Sequence, residues 1–226
     1  MKHKLLAAAA VIAALASGPR AQAGVVTFKF GGAGVGGSGL LTFAPDTVVN
    51  DPSGAYTITN ISGTFSDSNI GLSNEAITGL VPINPVSPPQ GAPFPVSLSL
   101  FSVSNPPPGD TAISYDNLFY PDGSPITCSD YKGFGGYLDV YGVLFTLKNG
   151  YFVDLWSNGA IPGGAPLDYG VIVVDGSHTV VDTQFGGVSM AVPEPGSRWL
   201  LVTGLLGALA WRRGSAASRA RVALGG

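Results

Sequence analysis

Oxygen-bearing side chains are the groups in this sequence whose types and spacing best suit the binding of a metal ion. In Asp67-Ser68-Asn69-Ile70-Gly71 they alternate before a glycine, a pattern typical of loops that hold a hard cation such as Ca²⁺. The bidentate glutamate that completes an EF-hand loop is missing. Asp67 and Asn69 are therefore weak candidate Ca²⁺ ligands, and we favour an ordinary turn. A second acidic, loop-rich region contains Asp116, Asn117, Asp122 and Asp130.

Catalytic side chains are scarce between the two ends of the chain. His178 is the only histidine after residue 3, and Asp175-Gly176-Ser177-His178 is typical of a turn. No G-x-S-x-G motif accompanies it, and a single histidine argues against a zinc site. Thirteen carboxylates offer many pairs for glycoside hydrolysis, but most are at predicted turns. We predict a chain that is not an enzyme, and keep a glycoside hydrolase as the last alternative.

A glycine-rich segment matches a nucleotide-binding pattern by letters alone. Residues 32–37 fit G-x-G-x-x-G, which binds dinucleotides only where a helix follows and receives the pyrophosphate. Here Leu40-Leu41-Thr42-Phe43 follows, which is typical of a strand. The segment is therefore interpreted as the loop of a hairpin, and no nucleotide cofactor is predicted.

The charge distribution excludes one class of partner. Between Gly24 and Ala191 three lysines face thirteen aspartates and glutamates, a formal excess of ten negative charges. An acidic surface repels phosphate backbones, so nucleic-acid binding is not expected. Cys128 is the only cysteine, so no internal disulfide can form, and it is either a small buried residue or a free thiol.

The N-terminal residues have the organisation of a secretory signal peptide. Lys2 and Lys4 precede an apolar run over residues 5–16, and Ala21-Gln22-Ala23 forms a small-x-small cleavage site. Signal peptidase is therefore expected to cut between Ala23 and Gly24, removing residues 1–23.

The C-terminal residues contain a short apolar segment with a defined orientation. Pro193-Glu194-Pro195 holds the chain extended, because two prolines cannot continue a helix. Residues 199–211 are apolar and would span about 20 Å as a helix, short of the ~30 Å hydrocarbon core. Arg212 and Arg213 follow and would stay cytoplasmic, so residues 24–191 would lie outside the inner membrane.

These C-terminal features together resemble the PEP-CTERM sorting signal. The resemblance rests on Pro193-Glu194-Pro195, an apolar helix over about 197–211 that contains Gly204 and Gly207, and the Arg212-Arg213 cluster. It implies recognition by exosortase, a membrane-embedded transpeptidase-like enzyme. The precursor would be anchored in the inner membrane and the product delivered to the cell surface or extracellular matrix. A plain single-span anchor is the alternative.

The resemblance divides the chain into four parts. A signal peptide covers 1–23, a folded domain 24–191, and the sorting signal 192–213. A basic tail over 214–226 then extends beyond the arginines, where similar tags usually stop.

Residues 24–191 show the period of β-strands rather than of helices. Val26, Phe28 and Phe30 share one face of a first strand, and Leu98 and Leu100 repeat the pattern. Asn149-Gly150 and Asp175-Gly176 predict tight turns, and prolines at 82–95 and 106–108 predict loops. We predict an all-β fold with eight to ten antiparallel strands forming a β-sandwich, with a jelly roll as one form of it. Further strands are predicted at 40–43, 55–60, 137–148, 151–156, 171–175 and 179–182.

The folded domain is also similar to a recurrent group of PEP-CTERM surface proteins, through segments 28–43, 61–65, 76–80, 116–121 and 144–155. This resemblance implies export without a known activity, and exopolysaccharide is a candidate partner. We therefore predict an exported cell-envelope or matrix protein. The alternative is a glycan- or calcium-binding, lectin-like module. Its candidate stacking aromatics are Tyr120, Tyr131, Phe134, Tyr137, Tyr141, Tyr151 and Phe152.

Overall fold

The computed structural model describes residues 23–86, 97–108, 110–128, 130–161 and 163–193. Most residues of the predicted signal peptide and sorting signal lie outside these ranges, including Ala21, Glu194, Pro195, Arg212 and Arg213. So do the predicted apolar helix at about 197–211 and the tail at 214–226. No helix long and apolar enough to cross a membrane occurs within the described ranges.

The described part of the chain is all-β, as predicted, and contains eleven strands and no helix. The Asn-Gly and Asp-Gly turns were predicted correctly, since each connects two antiparallel neighbours. The strands are β1 Gly24–Gly32, β2 Val35–Pro45, β3 Tyr56–Asp67, β4 Leu72–Leu80, β5 Ser99–Ser102, β6 Ala112–Tyr115, β7 Leu118–Phe119, β8 Val143–Leu147, β9 Phe152–Gly159, β10 Asp168–Val174 and β11 Val180–Ala191.

Eight of these strands close into a barrel, so the predicted sandwich is wrong. They follow chain order around the ring, β1-β2-β3-β4-β8-β9-β10-β11, and all neighbours are antiparallel. The ring is sealed where β1 pairs with β11 through Lys29 and Ala191, Phe30 and Met190, and Gly31 and Ser189. A single sheet that closes on itself leaves no second sheet to stack against.

Glycines allow the tight curvature between β2 and β3. Gly39 and Gly63 are register partners, and a Cβ on either would collide with the facing strand's backbone, at Ser62 and Ser38 respectively. Gly63 also has a φ of +145°, which other residues rarely adopt. Glycine pairs of this kind let a sheet bend and close.

The barrel interior is apolar and filled. Val26, Phe28 and Phe30 of β1 are all buried, as their alternation predicts. Across the barrel Phe145, Val153 and Leu155 are at most 1% exposed. Phe65 packs against both Phe30 and Phe145, with ring centroids 6.2 Å and 6.4 Å apart. The remaining space is thus occupied by side chains, as in other small barrels.

A two-stranded hairpin, β5–β6, covers part of the outer surface. It is inserted between β4 and β8 and packs over a small apolar cluster that includes Ile113, Trp156 and Ile172. The alternation predicted at Leu98 and Leu100 is confirmed only for Leu98, which is buried, because Leu100 is 52% exposed and Ser99 is fully buried. Ser99 is inside because its hydroxyl accepts the N–H of Asn84 at 2.8 Å.

The predicted strand at 137–148 is shorter in the structure, where β8 begins only at Val143. The carboxylate of Asp139 accepts the N–H groups of Tyr141 and Gly142, at 3.0 Å and 3.2 Å. These bonds fold residues 139–142 into a turn, which competes with strand pairing.

Candidate ligand-binding cleft

A cleft of about 270 Å³ lies on the outside of the barrel. We call it the outer cleft. Its floor is the outward face of β9 and β10, and its walls come from β6 and from the loops around Pro107 and Tyr131. The side chains that matter for binding are Asp110, Tyr131, Asp154, Trp156, Asn158 and Phe185.

Strand periodicity places three of these side chains in one row. Asp154, Trp156 and Asn158 alternate along β9 with inward-facing core residues, so they point away from the interior. Successive members of the row are about 7 Å apart along the strand. The row therefore presents a carboxyl, an indole and an amide along about 14 Å of one strand face.

The indole of Trp156 lies flat over a glycine in the next strand. Trp156 is the register partner of Gly170, and a Cβ on Gly170 would collide with the indole ring. The glycine thus leaves the surface of β10 open for the ring to cover. Trp156 is 8% exposed.

A chain of hydrogen bonds fixes the orientation of this ring. The indole Nε1 donates to Oδ1 of Asn158 at 3.0 Å. The Asn158 amide donates in turn to Asp168 at 2.9 Å and to the carbonyl of Phe185 at 2.7 Å. Asp168 also accepts the N–H of Gly187, at 3.1 Å. The aromatic platform is held in place without any ligand.

Phe185 connects the outer cleft to a second cleft. Its ring makes an edge contact with Trp156 at 6.4 Å and is 64% exposed. The second cleft, of about 330 Å³, lies between residues 105–108 and β11 and shares Pro107 and Phe185 with the first. The two clefts therefore adjoin each other at Pro107 and Phe185.

Asp154 is a buried carboxyl group that lacks full hydrogen bonding. It is 3% exposed, and its Oδ1 has no hydrogen-bond partner among the described residues. Burial, and then the negative charge of Asp139, raises the pKa of Asp154 well above its usual range. A buried polar atom without a partner costs free energy and needs an explanation.

A second buried carboxyl pair, Asp116 and Asp139, has a structural role instead. Asp139 accepts hydrogen bonds from the hydroxyl of Tyr120 at 3.2 Å and from two backbone N–H groups. Burial, and then the negative charge of Asp139, raises the pKa of Asp116 well above its usual range. Oδ1 of Asp116 accepts the N–H of Leu118 at 3.0 Å. The pair anchors β7 to the start of β8.

The candidate Ca²⁺ ligands Asp67 and Asn69 lie beside Asp182, which the sequence analysis did not group with them. The Asn69 amide donates to Asp182 at 3.0 Å, and its backbone N–H donates to Asp67 at 2.9 Å. Burial, and then the nearby Asp182, raises the pKa of Asp67 to about 6. Burial also acts on Asp182, but hydrogen bonds from Asn69 and Gln184 outweigh it, so its pKa is lowered.

The second acidic region is not brought together. Asp122 and Asp130 are exposed, whereas Asn117 is buried and bridges the backbone of Val81 and Leu144. Within the described ranges, no three His, Cys, Asp or Glu side chains are grouped closely enough to hold a metal ion.

The structure separates the predicted stacking aromatics. Only Tyr131 lines the outer cleft, while Tyr120 is 1% exposed and Phe152 packs against Phe101 of the hairpin. Sequence reasoning missed Phe185 and the pairing of Trp156 with Gly170. The outward period-two row of β9 was the available signal.

The remaining predicted positions lie at the borders of the barrel or on its surface. Gly24 is the first residue of β1, and Ala23 before it is exposed. The compact unit that contains the barrel ends at Val192, and Pro193 begins a second unit of which only that residue is described. His178 is an exposed turn residue, as predicted, and Cys128 is a partly exposed free thiol. The chain matches no family model, no curated protein and no solved structure.

Proposed function

We propose that this chain is an exported, non-catalytic cell-envelope or extracellular-matrix protein whose barrel binds glycan in the outer cleft. The observation that carries the glycan-binding part is the indole of Trp156, fixed over Gly170 and hydrogen-bonded to Asn158. A fixed aromatic face beside polar groups suits a sugar ring, which has an apolar face and a hydroxylated edge. The second cleft, beyond Phe185, gives room for further rings of the same chain.

Removing the Trp156 ring tests whether it binds glycan by stacking. Trp156→Ala should reduce the affinity for a binding oligosaccharide at least about tenfold in calorimetric titration, because it removes the stacking face. Phe134→Ala is the matched control, since Phe134 is an exposed aromatic outside the cleft. Equal binding by wild type and Trp156→Ala would place any glycan site elsewhere and reject this proposal.

Export and sorting by exosortase rest on the PEP-CTERM features of the sequence. Two borders of the folded domain support them: β1 begins at Gly24, directly after the expected signal peptidase cut, and the compact unit ends one residue before Pro193. Both cuts would therefore leave all eight barrel strands intact. The precursor would sit in the inner membrane by residues 197–211 until exosortase releases the domain.

The mass and location of the mature protein test this sorting. In the native host it should lack the residues after the Pro-Glu-Pro region and leave the inner membrane only when exosortase is present. A protein that keeps residues 199–226 in hosts with and without exosortase would be a simple membrane anchor.

Calcium binding at Asp67, Asn69 and Asp182 is the second candidate function. It is favoured by Oδ2 of Asp67, which is buried without a hydrogen-bond partner among the described residues. A cation that binds only the folded state raises its melting temperature by mass action. Ca²⁺ should then stabilise the wild type and leave Asp67→Asn unchanged, whereas no stabilisation of the wild type would remove this candidate.

A further inference from the structure

We propose that the outer cleft selects sugars that carry a protonated amino group, with Asp154 as the partner of the ammonium. This inference rests on the proposed glycan binding and identifies the class of sugar. It accounts for a buried carboxyl group that the fold itself leaves incompletely bonded.

Three buried carboxyl oxygens, on Asp67, Asp116 and Asp154, have no hydrogen-bond partner among the described residues, and of these three residues only Asp154 lines the outer cleft. Asp139 receives three hydrogen bonds and holds a turn in place. Asp154 is equally enclosed, at 3% exposed, yet its Oδ1 has no partner among the residues that the structure describes. A leucine would fill this position at lower cost, so the carboxyl group is best explained by a ligand.

The charged side chains that line the outer cleft are acidic. Among the described residues, Asp110 and Asp154 line it and no Lys or Arg does. The domain around it has an excess of ten negative charges. A buried carboxylate without a counter-cation favours a cationic ligand, and its pKa, raised by burial, would fall again once an ammonium is bound.

Aromatic side chains lie beside the Asp154 carboxyl group in the outer cleft. Trp156 is two residues from Asp154 on the same face of β9, with Phe185 and Tyr131 on the walls. An ammonium near an indole face gains cation–π attraction, and the carbons of the same sugar ring stack on it. The cleft of about 270 Å³ is small and suits a single ring, and the adjoining second cleft can take its neighbour.

A pair of ligands, one with a free amine and one with an uncharged acetylated amine, tests this directly. The probes are the disaccharide of glucosamine and its N-acetylated counterpart, titrated against the full chain at a mildly acidic pH where the free amine is protonated. Wild type should bind the free amine about tenfold more tightly. Asp154→Asn should lose this preference by weakening the amine form about tenfold while leaving the acetylated form within about twofold.

A matched variant controls for general attraction to an acidic protein. Asp122→Asn removes the same charge at an exposed position outside the cleft, so it should keep the preference. If wild type binds both sugars equally, or if Asp154→Asn keeps the preference, the inference is overturned while glycan binding stands. If Trp156→Ala has no effect on either sugar, the glycan-binding proposal itself fails and the inference fails with it.

Discussion

The two faces of strand β9 are buried to similar degrees but contain opposite kinds of side chain. On the inner face Val153 and Leu155 are at most 1% exposed in an apolar core. On the outer face Asp154 and Trp156 are 3% and 8% exposed, yet they line a cleft. The inner face is buried by ring closure, whereas the outer face is buried by a hairpin that covers it incompletely. A polar side chain that is buried beneath an incompletely covering hairpin is typical of a ligand site, whereas a core contains apolar side chains.

The largest effect should come from the inner face. Leu155→Ala is expected to lower the free energy of unfolding by about 2–5 kcal/mol, because a closed barrel cannot collapse around the cavity. Urea denaturation measures it, with Leu100→Ala, which is 52% exposed, as the control expected within about 0.5 kcal/mol of wild type. A cost for Leu155→Ala as small as the control's would contradict a tightly packed interior.

Crowding under the Trp156 ring should also lower stability. Gly170→Ala would push the indole from its position, at a cost of about 1–3 kcal/mol in unfolding free energy and with weaker sugar binding. Gly176→Ala is the control, because this exposed glycine has only one neighbouring atom near a Cβ, at 3.5 Å. The interpretation of the outer face is wrong if both variants bind sugar like wild type.

Two buried carboxyl groups should respond in opposite directions to the same substitution. Asp154→Leu removes an incompletely bonded carboxyl and is expected to raise the unfolding free energy by about 1 kcal/mol or more. Asp139→Leu deprives Tyr120, Tyr141 and Gly142 of their acceptor and should lower it by about 3 kcal/mol. Thermal and urea unfolding of both variants sharpen the comparison, and a shared sign would refute it.

The pH dependence of stability should be the smallest of these effects. Burial raises the pKa of Asp67 from its ordinary value of 3.8 to about 6, so the folded state holds the proton more tightly than the unfolded chain does. Its stabilising contribution is present below pH 3.8 and is lost as the pH rises through about 6. The pKa values of the buried carboxyl groups Asp116, Asp139 and Asp154 are also raised, so their contributions to stability likewise decrease as the pH rises.

Unfolding free energy should therefore decrease as the pH rises across that window. Asp67→Asn should flatten the slope there, since the amide does not titrate. A steeper or unchanged slope in this variant would show that Asp67 is not the group responsible. Asp182, with a lowered pKa, acts with the opposite sign at lower pH.

Much of the local structure was predictable from particular residues. Asn149-Gly150 and Asp175-Gly176 specify their hairpins because few other residues adopt the required turn conformations. Val26, Phe28 and Phe30 identify an inward face because a strand repeats every two residues. These signals depend only on neighbouring residues in the chain, so they predict the same local structure in a sandwich and in a barrel.

The candidate site was predictable only in part. Tyr131 was among the expected stacking residues, and Asp67 and Asn69 do lie side by side. Phe185 and Gly170 were missed because they come from other strands of the ring and join Trp156 only through strand register. The burial of Ser99 and exposure of Leu100 were missed because a hydrogen bond to Asn84 decides which face of β5 turns inward.

The sequence by itself determined the all-β class, the Asn-Gly and Asp-Gly turns and the inward face of the first strand. The export and sorting features remain predictions. Only the tertiary structure decided that the sheet closes, through the seam of β1 with β11 and the glycines Gly39 and Gly63. The physical reason is that period two assigns side chains to faces but does not name the strand's partners. Which outer face becomes a cleft then depends on where the inserted hairpin packs.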